Sequence, residues 1–322
     1  MSNKDKTKNP IQPISGTKVP RFAGPSTFAR LPEIRDVKSC DIAIVGVPFD
    51  AGTSYRPGAR FGPQSIRQAS RHLRTNYHPN YDVEPFKVQQ VADAGDIVCN
   101  PFNINEAIQQ IEKGAFELLN KTNGIISMGG DHTIAFPLLK AVNKINKGPV
   151  ALVHFDAHLD TWDTYFGAPY THGTPFRRAR EENLFLDKAS MHVGIRGPLY
   201  SRDDLKNDAE FGFKIIHCDE FQSEGIDKIV KRIRDRVGNN PLYLSIDIDV
   251  LDPSHAPGTG TPEIAGMTTR EMVNVLRGLA GVNLISADVV EVSPAYDHAE
   301  LTSLAAATIV YELTNLFAKK SL

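Results

Sequence analysis

His154-Phe155-Asp156-Ala157-His158-Leu159-Asp160 follows directly on the apolar run Pro149-Val150-Ala151-Leu152-Val153. An apolar run of that length reads as a strand buried on both faces of a mostly parallel sheet. The ligand-type side chains are then delivered at the strand's carboxyl end, where open α/β sheets build their active sites. Asp156, His158 and Asp160 alternate with apolar or small residues. If the extended geometry persists, all three point the same way, about 6–7 Å apart per pair of residues. Mixed carboxylate and imidazole donors suit a divalent metal of intermediate hardness such as Mn²⁺ better than a thiolate metal. The plain alternative, a solvated turn rich in Asp and His, is disfavoured because two anions beside a buried strand need a partner.

Asp247 and Asp249 repeat the pattern in Leu242-Tyr243-Leu244-Ser245-Ile246-Asp247-Ile248-Asp249-Val250. A strand over 242–249 sets both carboxylates on one face at one depth in the core. Uncompensated, such a pair is very costly or holds a proton, and a bound dication removes the problem. Gly124-Ile125-Ile126-Ser127-Met128 is a further strand, ended by Gly129-Gly130-Asp131-His132-Thr133. The two glycines let the backbone turn sharply and bring His132 towards the same edge. Alone, His132 reads as a hydrogen-bonded structural residue; its place at another strand's carboxyl end makes it a ligand candidate. Four carboxylates and two imidazoles, from His132, Asp156, His158, Asp160, Asp247 and Asp249, are an inventory for two divalent ions that lower the pKa of a shared water. One zinc needs only about three ligands and an open position. Hydrolysis is the chemistry that follows.

Outside these blocks, strands are expected over 41–48, 88–96, 191–195, 214–217 and 284–290, and helices over 64–73, 104–121, 133–144, 225–237, 269–279 and 302–317. The glycine- and proline-rich loop 52–63 reads as a structured functional or subunit-contact loop. Thr161 to Pro175, with the only Trp of the chain, reads as an aromatic pocket wall. Within it His172 is a candidate proton shuttle, its ordinary pKa lying near neutrality. Glu291, emerging from strand 284–290, is placed to receive a cationic substrate group, an N-cap or surface role being the alternative.

The chain has 322 residues, 41% hydrophobic and 23% charged, with formal net charge −2. That balance gives no reason to expect nucleic acid or an anionic membrane as partner. Cys40, Cys99 and Cys218 form no CxxC and read as small buried hydrophobes of a reducing compartment. Residues 1–20 are polar, and no apolar run stands out as a membrane span, so cytoplasmic location is the expectation. No linker divides the sequence. A single catalytic domain over 38–322 is expected, preceded by an N-terminal arm over 1–37 that either wraps a surface or is disordered at its start.

Gly129 to His132, His154 to Asp160 and Ser245 to Asp252 together resemble the three signature blocks of the ureohydrolases, the arginase and agmatinase family. The resemblance runs from the first strand to the last helix. It implies a three-layer αβα arginase-like fold with a central parallel sheet of about eight strands. It also implies two Mn²⁺ ions per subunit, with Ni²⁺ as the alternative, hydrolysis of a guanidino group to urea and an amine, and homotrimers or homohexamers. By the same resemblance His132, Asp156, Asp160 and Asp249 bind one metal, and Asp156, His158, Asp247 and Asp249 the other. His172 then matches the proton shuttle, Glu291 matches the glutamate holding the substrate guanidinium, and Asp160 or His172 passes a proton to the leaving amine.

Thr161 and Trp162 follow Asp160 where arginases usually carry an Asn, a departure that argues against L-arginine as substrate. The loops 56–63 and 171–178 are similar to the agmatinase branch. Agmatine, cleaved to putrescine and urea, is therefore the expected small cationic substrate, with guanidinobutyrate or another guanidino acid or guanidine as the alternative. A basic residue near the pocket mouth would favour the acids, and Arg177, Arg178 and Arg196 are candidates. A non-catalytic regulatory paralogue and a single-zinc deacetylase are the readings from other classes, both disfavoured by the complete ligand set.

Overall fold

Alternate residues of each central strand belong to opposite cores. Ile42 and Ile44 pack into one hydrophobic cluster and Ala43, Val45 and Val47 into another; Ala151, Val153 and Phe155 part from Leu152 in the same way. This period-two burial on both faces is what a parallel strand covered by helices requires. The computed structural model describes residues 9–320. Its strands are β1 (Ile42–Val47), β2 (Val91–Asp96), β3 (Gly124–Gly129), β4 (Ala151–Phe155), β5 (Met191–Ile195), β6 (Lys214–His217), β7 (Leu242–Asp247) and β8 (Leu284–Val290). They form one eight-stranded sheet in the order β2-β1-β3-β8-β7-β4-β5-β6, parallel at every pairing.

Helices Gly62–Ser70, Ile226–Val237, Thr269–Gly278 and Leu301–Lys320 supply residues to the first core. Helices Ile104–Leu119, Ala135–Asn146 and Pro175–Glu181 supply the second. The result is the three-layer αβα arrangement expected from the sequence. Leu301–Lys320 departs from the expectation about apolar runs: by length and composition it could cross a bilayer, yet 83% of its apolar window is buried inside the protein. Helices Pro85–Val88, Pro175–Glu181, Asp203–Glu210 and Glu220–Glu224 were not expected, since segments this short show too few turns for a helical period to be read.

Two strands stop earlier than their apolar pattern suggests. β7 ends at Asp247, whose carboxylate accepts the N–H of Asp249 at 2.8 Å, and a 3-10 turn Ile248–Val250 follows. β4 ends at Phe155, and the Asp156 carboxylate accepts the N–H of His158 at 2.6 Å. Asp131, just after β3, takes the N–H of Thr133 at 2.9 Å. In each case an aspartate offers the backbone a partner two residues on, so the chain turns instead of extending. Asp247 and Asp249 therefore do not share a strand face, and Asp160, at φ 54°, is not in extended register with Asp156 and His158.

Residues 1–8 of the expected arm lie outside the described residues. From residue 9 onward the segment runs against the sheet edge: the Ile11 N–H donates to Gln90 at 2.7 Å, and Phe28 and Leu31 are buried in the first core. Cys40 and Cys218 are buried free thiols, and Cys99 is half-buried.

Gly129 and Gly130 are needed for a different reason from the one expected. Neither has a positive φ. A Cβ at Gly130 would stand 1.8 Å from the Phe49 carbonyl oxygen, and one at Gly129 would stand 2.6 Å from Val290 Cγ1. Close approach of neighbouring chain, not turn geometry, excludes a side chain here. Gly130→Ala is expected to lower stability by about 1–3 kcal/mol, the usual cost of overpacking, read as a lower urea midpoint with unchanged slope; an unchanged midpoint would contradict the close packing.

Candidate metal centre

The carboxyl ends of four adjacent strands, β3, β8, β7 and β4, converge. They bring His132, Glu291, Asp247 and the segment Asp156 to Asp160 to one place. Asp156, Asp160, Asp247 and Asp249 are all buried, with exposures of 0%, 6%, 3% and 1%.

His132 fixes the first half of the site. Its Nε2 is 2.9 Å from Ser245 Oγ, and Ser245 donates its own proton to Asp288 Oδ1 at 2.7 Å. Ser245 can therefore only accept from His132, which assigns the proton of a neutral imidazole to Nε2 and leaves Nδ1 bare. That atom lies 3.2 Å from Asp156 Oδ2, 3.0 Å from Asp160 Oδ2 and 3.2 Å from Asp247 Oδ2, and it has no hydrogen-bond partner. A nitrogen lone pair facing three carboxylate oxygens is a donor set that a dication completes. Left to themselves these groups compensate by protons. Burial pulls the His132 pKa down, but the three carboxylates crowded around its Nδ1 carry it well above its ordinary value. Burial and the charges of Asp249 and Asp156 push Asp247 well up.

The second half shares Asp156. His158 Nδ1 lies 3.3 Å from Asp156 Oδ1 and 3.2 Å from Asp249 Oδ2, an oxygen with no hydrogen-bond partner. Asp249 Oδ1 is held by the Ala157 N–H at 3.1 Å. Burial, with the Asp156 charge, raises the Asp249 pKa to about 6. Possible metal-holding groups thus fall into two sets, one at His132, Asp156 and Asp160 and one at Asp156, His158 and Asp249. His154 also comes close to the first set, but both its nitrogens are already engaged.

Beneath the ligands lies a polar row that sequence reasoning missed. Ser127 of β3, Asp288 of β8, Ser245 of β7, His154 of β4 and His192 of β5 are register partners on one face of the sheet. Tyr243 donates to Asp288, joining the row from below. His154 Nε2 is 2.7 Å from Asp156 Oδ2, His154 Nδ1 is 2.7 Å from His192 Nδ1, and His192 Nε2 is 3.1 Å from Asp208 Oδ1. These contacts link Asp156, His154, His192 and Asp208 into one buried chain. The row orients the residues above it from inside the sheet, as groups behind metal ligands do.

His172 and Glu291 are joined. His172 Nε2 lies 2.7 Å from Ser54 Oγ, a hydroxyl that can accept from a protonated ring, and its Nδ1 lies 3.2 Å from Glu291 Oε1. The same oxygen accepts the His132 N–H at 2.8 Å, while Oε2 is buried without a partner. Burial lowers the His172 pKa, but its bond to Glu291 outweighs that and lifts it to about 9. Asp131 secures the loop above: it accepts the Gly52 N–H at 2.7 Å, and burial with the Glu291 charge raises its pKa to about 7.

A cavity of about 500 Å³ opens over the cluster. His158, Asp160, His172 and Asp247 line it, whereas Glu291 is packed behind His172. Trp162 and Tyr165 of the expected aromatic loop line the cavity together with Tyr200, which was not expected, the Trp162 and Tyr200 rings edge-on at 5.2 Å and the two tyrosine hydroxyls 3.3 Å apart. Phe166 is exposed instead, and Tyr170 stacks on Phe136. Arg177, Arg178 and Arg196 do not line the cavity. Arg178 binds Asp163 and Glu181, Arg177 binds Glu181, and Arg196 donates to the carbonyls of Asp249 and Glu263, both at 2.7 Å. Among the described residues the Lys or Arg at the cavity is Arg56, from the loop 52–63 read as functional or subunit-contact but not as the source of the basic residue.

The sequence model of the Arginase family matches residues 40–315. The chain is 47% identical over 329 residues to the protein named "Putative agmatinase 1" of Schizosaccharomyces pombe, covering 92% of this chain and 83% of that one. It is 43% identical to the guanidinopropionase of Pseudomonas aeruginosa over 312 residues, covering 96% and 97%. The solved proclavaminate amidinohydrolase of Streptomyces clavuligerus superposes with TM-score 0.89 at 40% identity, over 94% of this chain and 99% of that one.

In metal-free protein the His172 imidazole is expected to titrate near pH 9 by NMR, protonated below and neutral above. Glu291→Gln should lower that midpoint towards 6.5, since it removes the anion that favours the charged ring; an unmoved midpoint would deny the pairing. His192→Phe, which severs the chain behind Asp156, should weaken dication binding measured by calorimetry about 10- to 100-fold, and equal affinity would make the row irrelevant to the ligands.

Proposed function

The chain belongs to the arginase family of hydrolases acting on guanidino groups, and from that premise we propose that it releases urea from a small linear guanidino compound at a pair of Mn²⁺ ions. The observation that carries the reading is the bare Nδ1 of His132 among three buried carboxylate oxygens, beside a second set that shares Asp156. His132, Asp156, Asp160 and Asp247 would hold one ion, and Asp156, His158 and Asp249 the other. Bound there, the ions would supply a Lewis acid and a water acidic enough to attack at neutral pH. Oxygen and nitrogen donors of this kind accept Mn²⁺ or Ni²⁺, and their predominance of carboxylate favours Mn²⁺.

The remaining roles fall to the chain's own groups. Asp160 lines the cavity and can accept a proton from the attacking water or return it to the leaving amine. His172, protonated through its bond to Glu291, is the second proton donor on the same cavity. Glu291 holds His172 and the His132 backbone in place from behind the cavity wall. Agmatine, the substrate expected from the sequence, and the ω-guanidino acids both present that group on a flexible tail.

Urea release by Mn²⁺-loaded protein should be detectable with at least one of agmatine, 4-guanidinobutyrate and 3-guanidinopropionate, and His172→Gln should lower kcat by about 10²- to 10⁴-fold, the usual worth of a positioned acid or base. Silence on all three, with Mn²⁺ and again with Ni²⁺, would refute the reading.

A further inference from the structure

The buried end of the cavity is anionic and suits a guanidinium; the far end decides the rest of the substrate. Among the described residues Arg56 is the sole Lys or Arg lining the cavity. Its guanidinium carbon sits 5.3 Å from the Tyr55 ring centroid and 5.2 Å from that of Tyr296. Among the described residues it has no carboxylate partner, unlike its neighbours Arg60, paired with Asp50, and Arg67, paired with Asp93 and Asp96. Two aromatic faces hold a planar cation in place without neutralising it, and they leave its fork of N–H donors open.

The backbone of the loop that carries Arg56 is tied to the site on both sides. Gly52 is tied to Asp131 and Ser54 to His172, while the Gly58 N–H reaches Asp50 Oδ2 at 2.8 Å. Arg56 therefore stands two residues from a direct bond to the site histidine. Of the acidic residues lining the cavity, Asp160 and Asp247 belong to the ligand cluster and Glu263 Oε1 faces His158 Nε2 at 3.6 Å. A free guanidinium here repels an ammonium tail and binds a carboxylate in bidentate fashion.

We propose that Arg56 is the specificity-determining residue of the cavity and that the substrate is an ω-guanidino acid, its carboxylate held by Arg56 while its guanidinium lies over the carboxylate cluster. This deepens the guanidino-hydrolase reading and rests on it.

The test compares kcat/KM of the Mn²⁺-loaded enzyme for 4-guanidinobutyrate, 3-guanidinopropionate and agmatine in the wild type, Arg56→Gln and Arg56→Lys. Expected are a preference for one of the acids, a fall of about 10- to 100-fold on that acid in Arg56→Gln through KM, partial recovery in Arg56→Lys, and improved use of agmatine in Arg56→Gln. A wild type that prefers agmatine, or an Arg56→Gln variant that loses acid and agmatine alike, would overturn the assignment of Arg56 while leaving a guanidino hydrolase. Urea from none of the three in any variant would overturn both.

Discussion

Four carboxylates, Asp156, Asp160, Asp247 and Asp249, are gathered inside a low-dielectric core at the edge of one sheet. Their mutual repulsion and lost hydration are the constraint to which the surrounding structure answers. Two imidazoles bring partial compensation, and backbone N–H groups from His158, Asp249 and Ala157 cap individual oxygens. What stays uncompensated is directional: the His132 Nδ1 and the Asp249 Oδ2 aim at points shared with neighbouring oxygens. Two dications answer the charge and the directions together, which protons alone do only by neutralising the ligands.

Support for the cluster comes from within the sheet. Because the strands are parallel and in register, single polar residues in otherwise apolar strands align into one row. Ser245 sets the tautomer of His132, and His154 steadies Asp156. Phe176 packs 4.3 Å from His154, and Phe213 stacks at 3.9 Å on His192, so the row is walled off from water. Low polarity makes each of these hydrogen bonds stronger and each missing one more costly.

Much of this was legible in the sequence, and for identifiable reasons. Strands 191–195, 214–217 and 284–290 were read to the residue, because β-branched runs bounded by polar residues leave little choice. His132, Asp156, His158, Asp160, Asp247 and Asp249 were recognisable since anions beside apolar strands demand an explanation, and the structure brings all six together. The exit geometry was not legible: period two says nothing of where an aspartate will capture its own backbone. The polar row was hidden because register is a property of pairs of strands, although Ser127, His154, Ser245 and Asp288 each interrupt an apolar run in plain view. Arg56 was passed over for Arg177, Arg178 and Arg196, since nothing in a linear sequence tells which arginines find acceptors.

The strand order carries a consequence for how the protein is made. β8 lies between β3 and β7, joining β2-β1-β3 on one side to β7-β4-β5-β6 on the other. A chain growing from its amino terminus has every one of the six ligand candidates before it has β8. Until that strand emerges, His132 sits on one half-sheet and the aspartates on another with nothing between them. Pairings so distant in sequence form late. The set that includes His132 is thus completed only when β8 joins the two halves, whereas Asp156, His158 and Asp249 come from the directly paired β4 and β7.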